Sequence, residues 1–298
     1  MTSSVDASAD SAHRGFAGSP VRRQRELRWL RILRNDAKAL ASMTVLVVFV
    51  ITAILAPVIA PYDPNAQDFR ILQPPSVDHW AGTDDLGRDL LSRLMYGAQI
   101  SLLVGIAAPL LALILGVIMG LLAGYYGGWV DTVIMRYIDL QWAFPNFIIA
   151  VYLVAIFGAG LYNVIIAITL AFLDDFARIT RGMVLSIREK EYVLAARAVG
   201  YPDHAILFRQ ILPNSAAPII VQATVCVASA ILAEASLSFL GLGVDPATPT
   251  WGAILSDARS FVSRAWWLAI FPGLTITVTV LSVNFLGDAL RDIFDVQE

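Results

Sequence analysis

Residues 40–60 run for a bilayer's thickness without one charged side chain. A hydrocarbon core of about 30 Å is crossed by roughly 20 helical residues, and it holds no water to satisfy any other backbone. Similar apolar runs follow at 98–124, about 137–157, 161–177, 216–240 and 266–287, which predicts about six transmembrane helices. Asp139, Pro145 and the Asp174-Asp175 pair interrupt the third and fourth. Composition agrees: the chain is 57% hydrophobic and 15% charged, against about 25% charged residues in soluble domains. The expected fold class is all-α, a polytopic membrane protein.

Lysines and arginines orient such a chain. With the N-terminus inside, eight fall in 1–39, one at Arg136, six in 178–210 and one at Arg291, sixteen in all. The outer segments hold Arg70, Arg88, Arg93, Arg259 and Arg264, which are five. Sixteen against five predicts a multi-pass protein of the cell membrane with both termini in the cytoplasm. Residues 1–38 read as a polar, disordered tail ending in a basic run from Arg22 to Lys38, suited to anionic lipid rather than nucleic acid. The remaining divisions are 39–97, first helix and outer loop, and 98–298, a core with a cytoplasmic loop at 178–214.

Several chemistries lack their residues. The one cysteine, Cys226, lies in an apolar run, and His13, His79 and His204 fall in three separate segments, so no metal site is expected. Neither lysine, Lys38 or Lys190, follows a phosphate-binding glycine loop, so the chain should not hydrolyse ATP. GxSxG and HExxH are absent from the sequence, and an intramembrane protease would lack a nucleophile–base pair. No catalytic or cofactor-binding residue is expected.

Two polar segments stand out. The first ends GTDDLGRDLLSRLMYGAQISLLVG, residues 82–105. Gly82, Thr83 and Asp84 make a turn, Gly87 a second break, and Asp89 stands four residues before Arg93 on the helix that follows, where the two can pair. The second, EYVLAARAVGYPDHAILFRQILPN, spans 191–214. Glu191 to Val199 favours helix and Gly200 suits a left-handed stop. Pro202 and Asp203 suit a new helix start, with Asp203 able to cap, and Pro213 should end it. A helix–turn–helix knob of this kind fits a groove in a soluble partner. Its acidic residues make it a poor DNA reader.

GTDxxGRDxxSRxxxGxxxSLxxG, carried by Gly82, Thr83, Asp84, Gly87, Arg88, Asp89, Ser92, Arg93, Gly97, Ser101, Leu102 and Gly105, resembles the signature of C-type permease subunits of ABC importers for dipeptides, oligopeptides and nickel. Gln99 departs from it where an arginine is common. AEASLSFLGLG (233–243), PTWG (249–252) and GDALRD (287–292) extend the resemblance from about residue 25 onward. Ala195, Ala196, Gly200, Leu212 and Pro213, with Glu191 and Arg197 in the EYxxAAR form, resemble the EAA loop that docks such permeases onto their ATPase. Leu194 stands where that motif has a glutamate. Asp174-Asp175 is unusual beside the matching Ala177-Arg178 stretch.

The resemblance implies a type I ABC-importer permease fold. It implies a homologous B-type permease, one or two ATPase subunits that hold ATP and Mg, and an extracytoplasmic solute-binding protein. A nickel- or opine-type solute is the alternative to peptides, and a stand-alone secondary transporter the rival mechanism.

Within the spans, an ionisable side chain is a functional candidate by default. Glu234 either lines a pathway or bonds to a neighbouring helix, and the structural reading is favoured. Asp139 is expected to pair with Arg136, and Pro145 to kink its span. Gly116, Gly120 and Gly124 form a small-xxx-small face for helix packing within the chain. Trp251, Trp266 and Trp267 suit an interfacial belt.

Overall fold

The computed structural model describes residues 36–245 and 247–295. The tail at 1–35, with most of its basic run, lies outside them. The described residues are helical apart from loops, and their one β-type pairing is an isolated bridge between Thr83 and Asp89.

Helix α1 is Ala37–Ile59, with the Asp36 side chain accepting from the backbone of Lys38 and Ala39 at its start. Helix α2, Leu90–Tyr126, runs 37 residues, and the predicted boundary at 97/98 falls inside it. Helices α3 (Gly128–Trp142) and α4 (Asn146–Phe157) are bent by 90° at a short break. Thus the predicted span at 137–157 is two helices, because Pro145 cannot donate the bond that would continue α3. Helix α5 is Leu161–Ile187. The short α6 (Glu191–Ala198) and α7 (Asp203–Ile206) lead through a π-helical turn, Leu207–Ile211, into α8 (Leu212–Phe239). Helix α9 is Trp251–Asp257, and α10 is Trp267–Asp295.

Four of these stretches are long and apolar enough to cross a bilayer, and the bent pair makes a fifth. Helix α5 is comparably long, 27 residues, but carries Asp174, Asp175, Arg178 and Arg181 from its midpoint on. Contacts at the helix ends sort the chain into a bundle with two unlike ends. At one end, Gly160 N–H donates to the Gly243 carbonyl at 3.0 Å, and Arg88 and Arg93 reach Asp257 at 3.5 Å. These join the α1–α2 loop, the α4–α5 turn and the α8–α10 connection into a cap. At the other end, Arg188 Nη1 donates to the Gly124 carbonyl at 2.7 Å, and Tyr125 Oη donates to Asp203 at 2.6 Å. The described residues pass between the two ends six times, counting α3 and α4 as one broken pass.

Helices α2 and α5 form the central seam. A Cβ on Gly116 would lie 2.6 Å from the Leu173 carbonyl oxygen, one on Gly120 2.5 Å from that of Ala177, and one on Gly124 2.7 Å from Val184 Cβ. The glycine stripe therefore serves packing inside the chain, where bare backbone lets the helices touch. Gln99, the departure from the motif, ties α2 to α1 through Nε2 and the Ala53 carbonyl at 2.8 Å.

Two tryptophans overturn the belt expectation. Trp251 is fully buried and donates from Nε1 to the Leu94 carbonyl at 3.1 Å. Trp267 is buried and donates from Nε1 to the Thr83 carbonyl at 3.2 Å. Both are pillars under the cap; Trp266 alone of the three is exposed. An indole finds its N–H partner as readily in a folded loop as at a lipid interface.

Candidate functional site

At the knob end, α6 begins at Glu191, and Gly200 turns the chain with φ +86°. Val193 and Ile206 are fully buried in an apolar cluster shared with α2, α5 and α8. Tyr125, the penultimate residue of α2, holds both halves of the knob. Its hydroxyl donates to Asp203, and the Arg197 guanidinium lies 5.2 Å above its ring. Beside it, Arg181 makes two bonds to Asp131, at 2.5 and 2.6 Å, joining α5 to the first turn of α3. The knob's outer surface mixes apolar and charged groups: Tyr192, Leu194, Val199, Tyr201 and Phe208 are all exposed, and so are Asp203, His204 and Arg209. Glu191, Ala195, Arg197 and Gly200 share that exposure, whereas Ala196 is half-buried against the cluster.

Two expectations about the knob change. Asp203 makes no side-chain cap; Pro202 occupies the cap position, and Asp203 accepts from Tyr125 instead. Pro213 does not end the second helix. It sits in the first turn of α8, and α7 continues through the π turn as one stretch, Asp203–Phe239. The wider π turn, in which Leu212 N–H reaches back to the Leu207 carbonyl, shifts the bond register just before the proline. The missing N–H and the ring are thereby accommodated. The knob is rigidly continuous with a membrane helix.

At the cap end, Gly82 (φ +81°) and Gly87 (φ +75°) make the two turns. Thr83 Oγ donates to the Arg70 carbonyl at 2.6 Å and accepts from Gln73 N–H at 2.8 Å. Asp84 takes the Arg88 Nε at 2.6 Å, with Arg93 Nη1 3.3 Å away. Asp257 of α9 closes the network against both arginines. Burial pushes the Asp257 carboxyl above the usual range, and Arg93 and Arg88 pull it back down. The expected Asp89–Arg93 pair does not form. Asp89 caps α2, accepting from Ser92 N–H at 2.9 Å and Ser92 Oγ at 2.8 Å, and meets His79 Nδ1 at 2.9 Å. A residue at the cap position is not yet on the helix face, so i,i+4 spacing does not bring the two side chains together.

Between the ends, Glu234 is fully buried and accepts from Ser101 Oγ and Ser238 Oγ, each at 2.8 Å, while Ser101 Oγ accepts from Trp251 N–H at 3.3 Å. The carboxylate thus fastens α8 to α2 beneath α9. Asp139 pairs with Arg178 of α5 at 3.1 Å, not with Arg136; a cation on a packed neighbour is nearer than one three residues back. Among the described residues no group of His, Cys, Asp and Glu is arranged to hold a metal ion. Tyr125, Arg188 and the Arg181–Asp131 pair were not singled out by sequence, since each acts with a partner 50 or more residues away.

Residues 116–296 match the model of the binding-protein-dependent transport system inner membrane component. The chain belongs to that family. Residues 26–75 match the N-terminal transmembrane domain of oligopeptide transport permease C. A dipeptide transport system permease protein of Alkalihalophilus pseudofirmus is 45% identical over 265 residues, covering 88% of this chain and 87% of its own. A di/tripeptide transport system permease protein of Pseudomonas aeruginosa is 46% identical over 275 residues, 90% of each chain. A glutathione transport system permease protein of Pectobacterium atrosepticum is 44% identical over 288 residues, 94% of this chain and 95% of its own. A solved structure described as inward-facing conformations of the MetNI methionine ABC transporter shares the fold. Its TM-score is 0.57 at 17% identity, with 70% of this chain and 98% of that one covered. The chain is a multi-pass membrane permease subunit of a binding-protein-dependent importer.

Proposed function

We propose that this chain forms half of the translocation pathway of an ATP-driven importer of short peptides. Its other half would be a homologous B-type permease, its solute would come from an extracytoplasmic binding protein, and one or two ATPase subunits holding ATP and Mg would drive it. The names of the three relatives support peptides over nickel- or opine-type solutes. The knob carries the mechanism: an exposed surface rich in large apolar side chains, bolted through Tyr125 to α2 and continuous with α8. Closure of an ATPase pair around nucleotide would carry the knob and tilt both helices, exchanging inward-open for outward-open states. A stand-alone secondary transporter has no use for such a handle.

Reconstitution in proteoliposomes with the partner permease, ATPase and binding protein tests this. Uptake of a dipeptide should require ATP and all partners. Uptake by this chain without an ATPase would overturn the reading.

A further inference from the structure

At the break between α3 and α4, polar groups with unmet bonding capacity gather beside the midpoint of α5. Asp174 stands 13 residues from each end of α5 (Leu161–Ile187), which at 1.5 Å per residue puts it about 20 Å from either. It is fully buried, yet its Oδ2 has no donor. Besides the Trp142 indole, its side-chain partner is Gln141, whose Nε2 lies 3.3 Å from Asp174 Oδ1 and also donates to the Leu170 carbonyl. Those two acceptors fix which end of the amide is nitrogen, and the Gln141 Oε1, likewise buried, is left without a donor. The cation that acts on it, Arg178, is shared: it pairs with Asp139 at 3.1 Å and lies over the Trp142 ring. Asp175, next along the helix, adds a second carboxylate, which faces the charge of Asp174 and shares Arg178 with it. The C-terminal end of α3 brings its own partial negative charge to the same place.

Gln141 also lines an open groove of about 570 Å³, walled by Tyr137, Phe144, Ile148, Tyr152 and Leu170. That volume suits a small molecule. Orphaned acceptors, two carboxylates sharing one cation with Asp139, a helix C-terminus and aromatic walls all favour one kind of guest, a positively charged donor. We propose that the Gln141–Asp174 pair and this groove form a subsite for the primary ammonium of an entering solute, the free N-terminus of a short peptide. The proposal rests on the peptide-importer reading above.

The test uses the whole importer in vesicles, with Leu140→Cys placed on the exposed rim of the groove and Cys226→Ala removing the native thiol. The rate at which a cationic thiosulfonate modifies the new cysteine is followed without nucleotide and with a non-hydrolysable ATP analogue. Alanyl-alanine should slow modification in one of these states, and N-acetyl-alanyl-alanine should not. Asp174→Asn should raise the alanyl-alanine concentration for half-protection about tenfold, as loss of a charged hydrogen bond implies. Equal protection by both peptides, or none by either in vesicles that take up alanyl-alanine, overturns the subsite alone. Vesicles that take up no dipeptide under ATP overturn the functional reading beneath it. If Asp174→Asn does not assemble, the comparison of free with acetylated peptide still decides.

Discussion

Gly200 shows what a single backbone angle does for the knob. A Cβ there would meet nothing within 4 Å, so space is not the constraint; the φ of +86° is. A β-branched residue resists that conformation by about 1–2 kcal/mol, enough to re-aim α6 without disturbing the bundle. Gly200→Val should insert normally but lower peptide uptake per ATP hydrolysed; unchanged coupling in proteoliposomes would count against docking through this turn. Glu234 is a different case. Its two serine donors come from α2 and from its own helix, and a glutamine can keep one bond as acceptor while a hydroxyl rotates to accept the other. Glu234→Gln should therefore weaken assembly by about 1 kcal/mol, one net hydrogen bond, and leave the solute profile alone. A shifted profile with normal assembly would move Glu234 into the pathway. Residue identity was legible in both positions, but partners were not. Asp89, Asp139 and Asp203 each have an obvious local partner or role in sequence and a different one in space.

Among the elements, the apolar runs and the glycine stripe were readable because each is set by local periodicity. The kink at Pro145 was expected too, though not its 90° size; what escaped were features settled by contact across the bundle, the π turn ahead of Pro213 and the burial of Trp251 and Trp267. The α2–α5 seam offers a matched pair of substitutions. Gly120 abuts the Ala177 carbonyl and, at 2.6 Å, Thr180 Cβ, whereas Gly182 of α5 has open space where its Cβ would be. Gly120→Val should destabilise the permease by about 1–3 kcal/mol through overpacking and lower its melting temperature in detergent. Gly182→Ala should be neutral or slightly stabilising, since alanine favours helix over glycine. Equal melting temperatures for the two would mean the seam relaxes, and the stripe would lose its assigned role.

For the whole molecule, everything depends on which end faces the cytoplasm. The bundle has two dissimilar ends: a cap built on buried Asp84, Arg88, Asp89 and Arg93, and an exposed knob between α5 and α8. Lysine and arginine counts put the knob inside, but the count is a tendency of insertion and not a contact. The chain itself supplies a clean measurement, because its single cysteine, Cys226, is buried and should stay silent to a polar thiol label. Leu194→Cys adds a reporter on the exposed face of α6, and Val77→Cys one on the cap loop, where the side chain is 90% exposed. In intact cells a membrane-impermeant maleimide should label Val77→Cys and leave Leu194→Cys untouched until the membrane is opened. The ATPase partner, when present, should then protect Leu194→Cys, as a handle enclosed in a groove would be. The reverse labelling pattern would place the knob where no nucleotide is available and would remove the mechanism drawn from it.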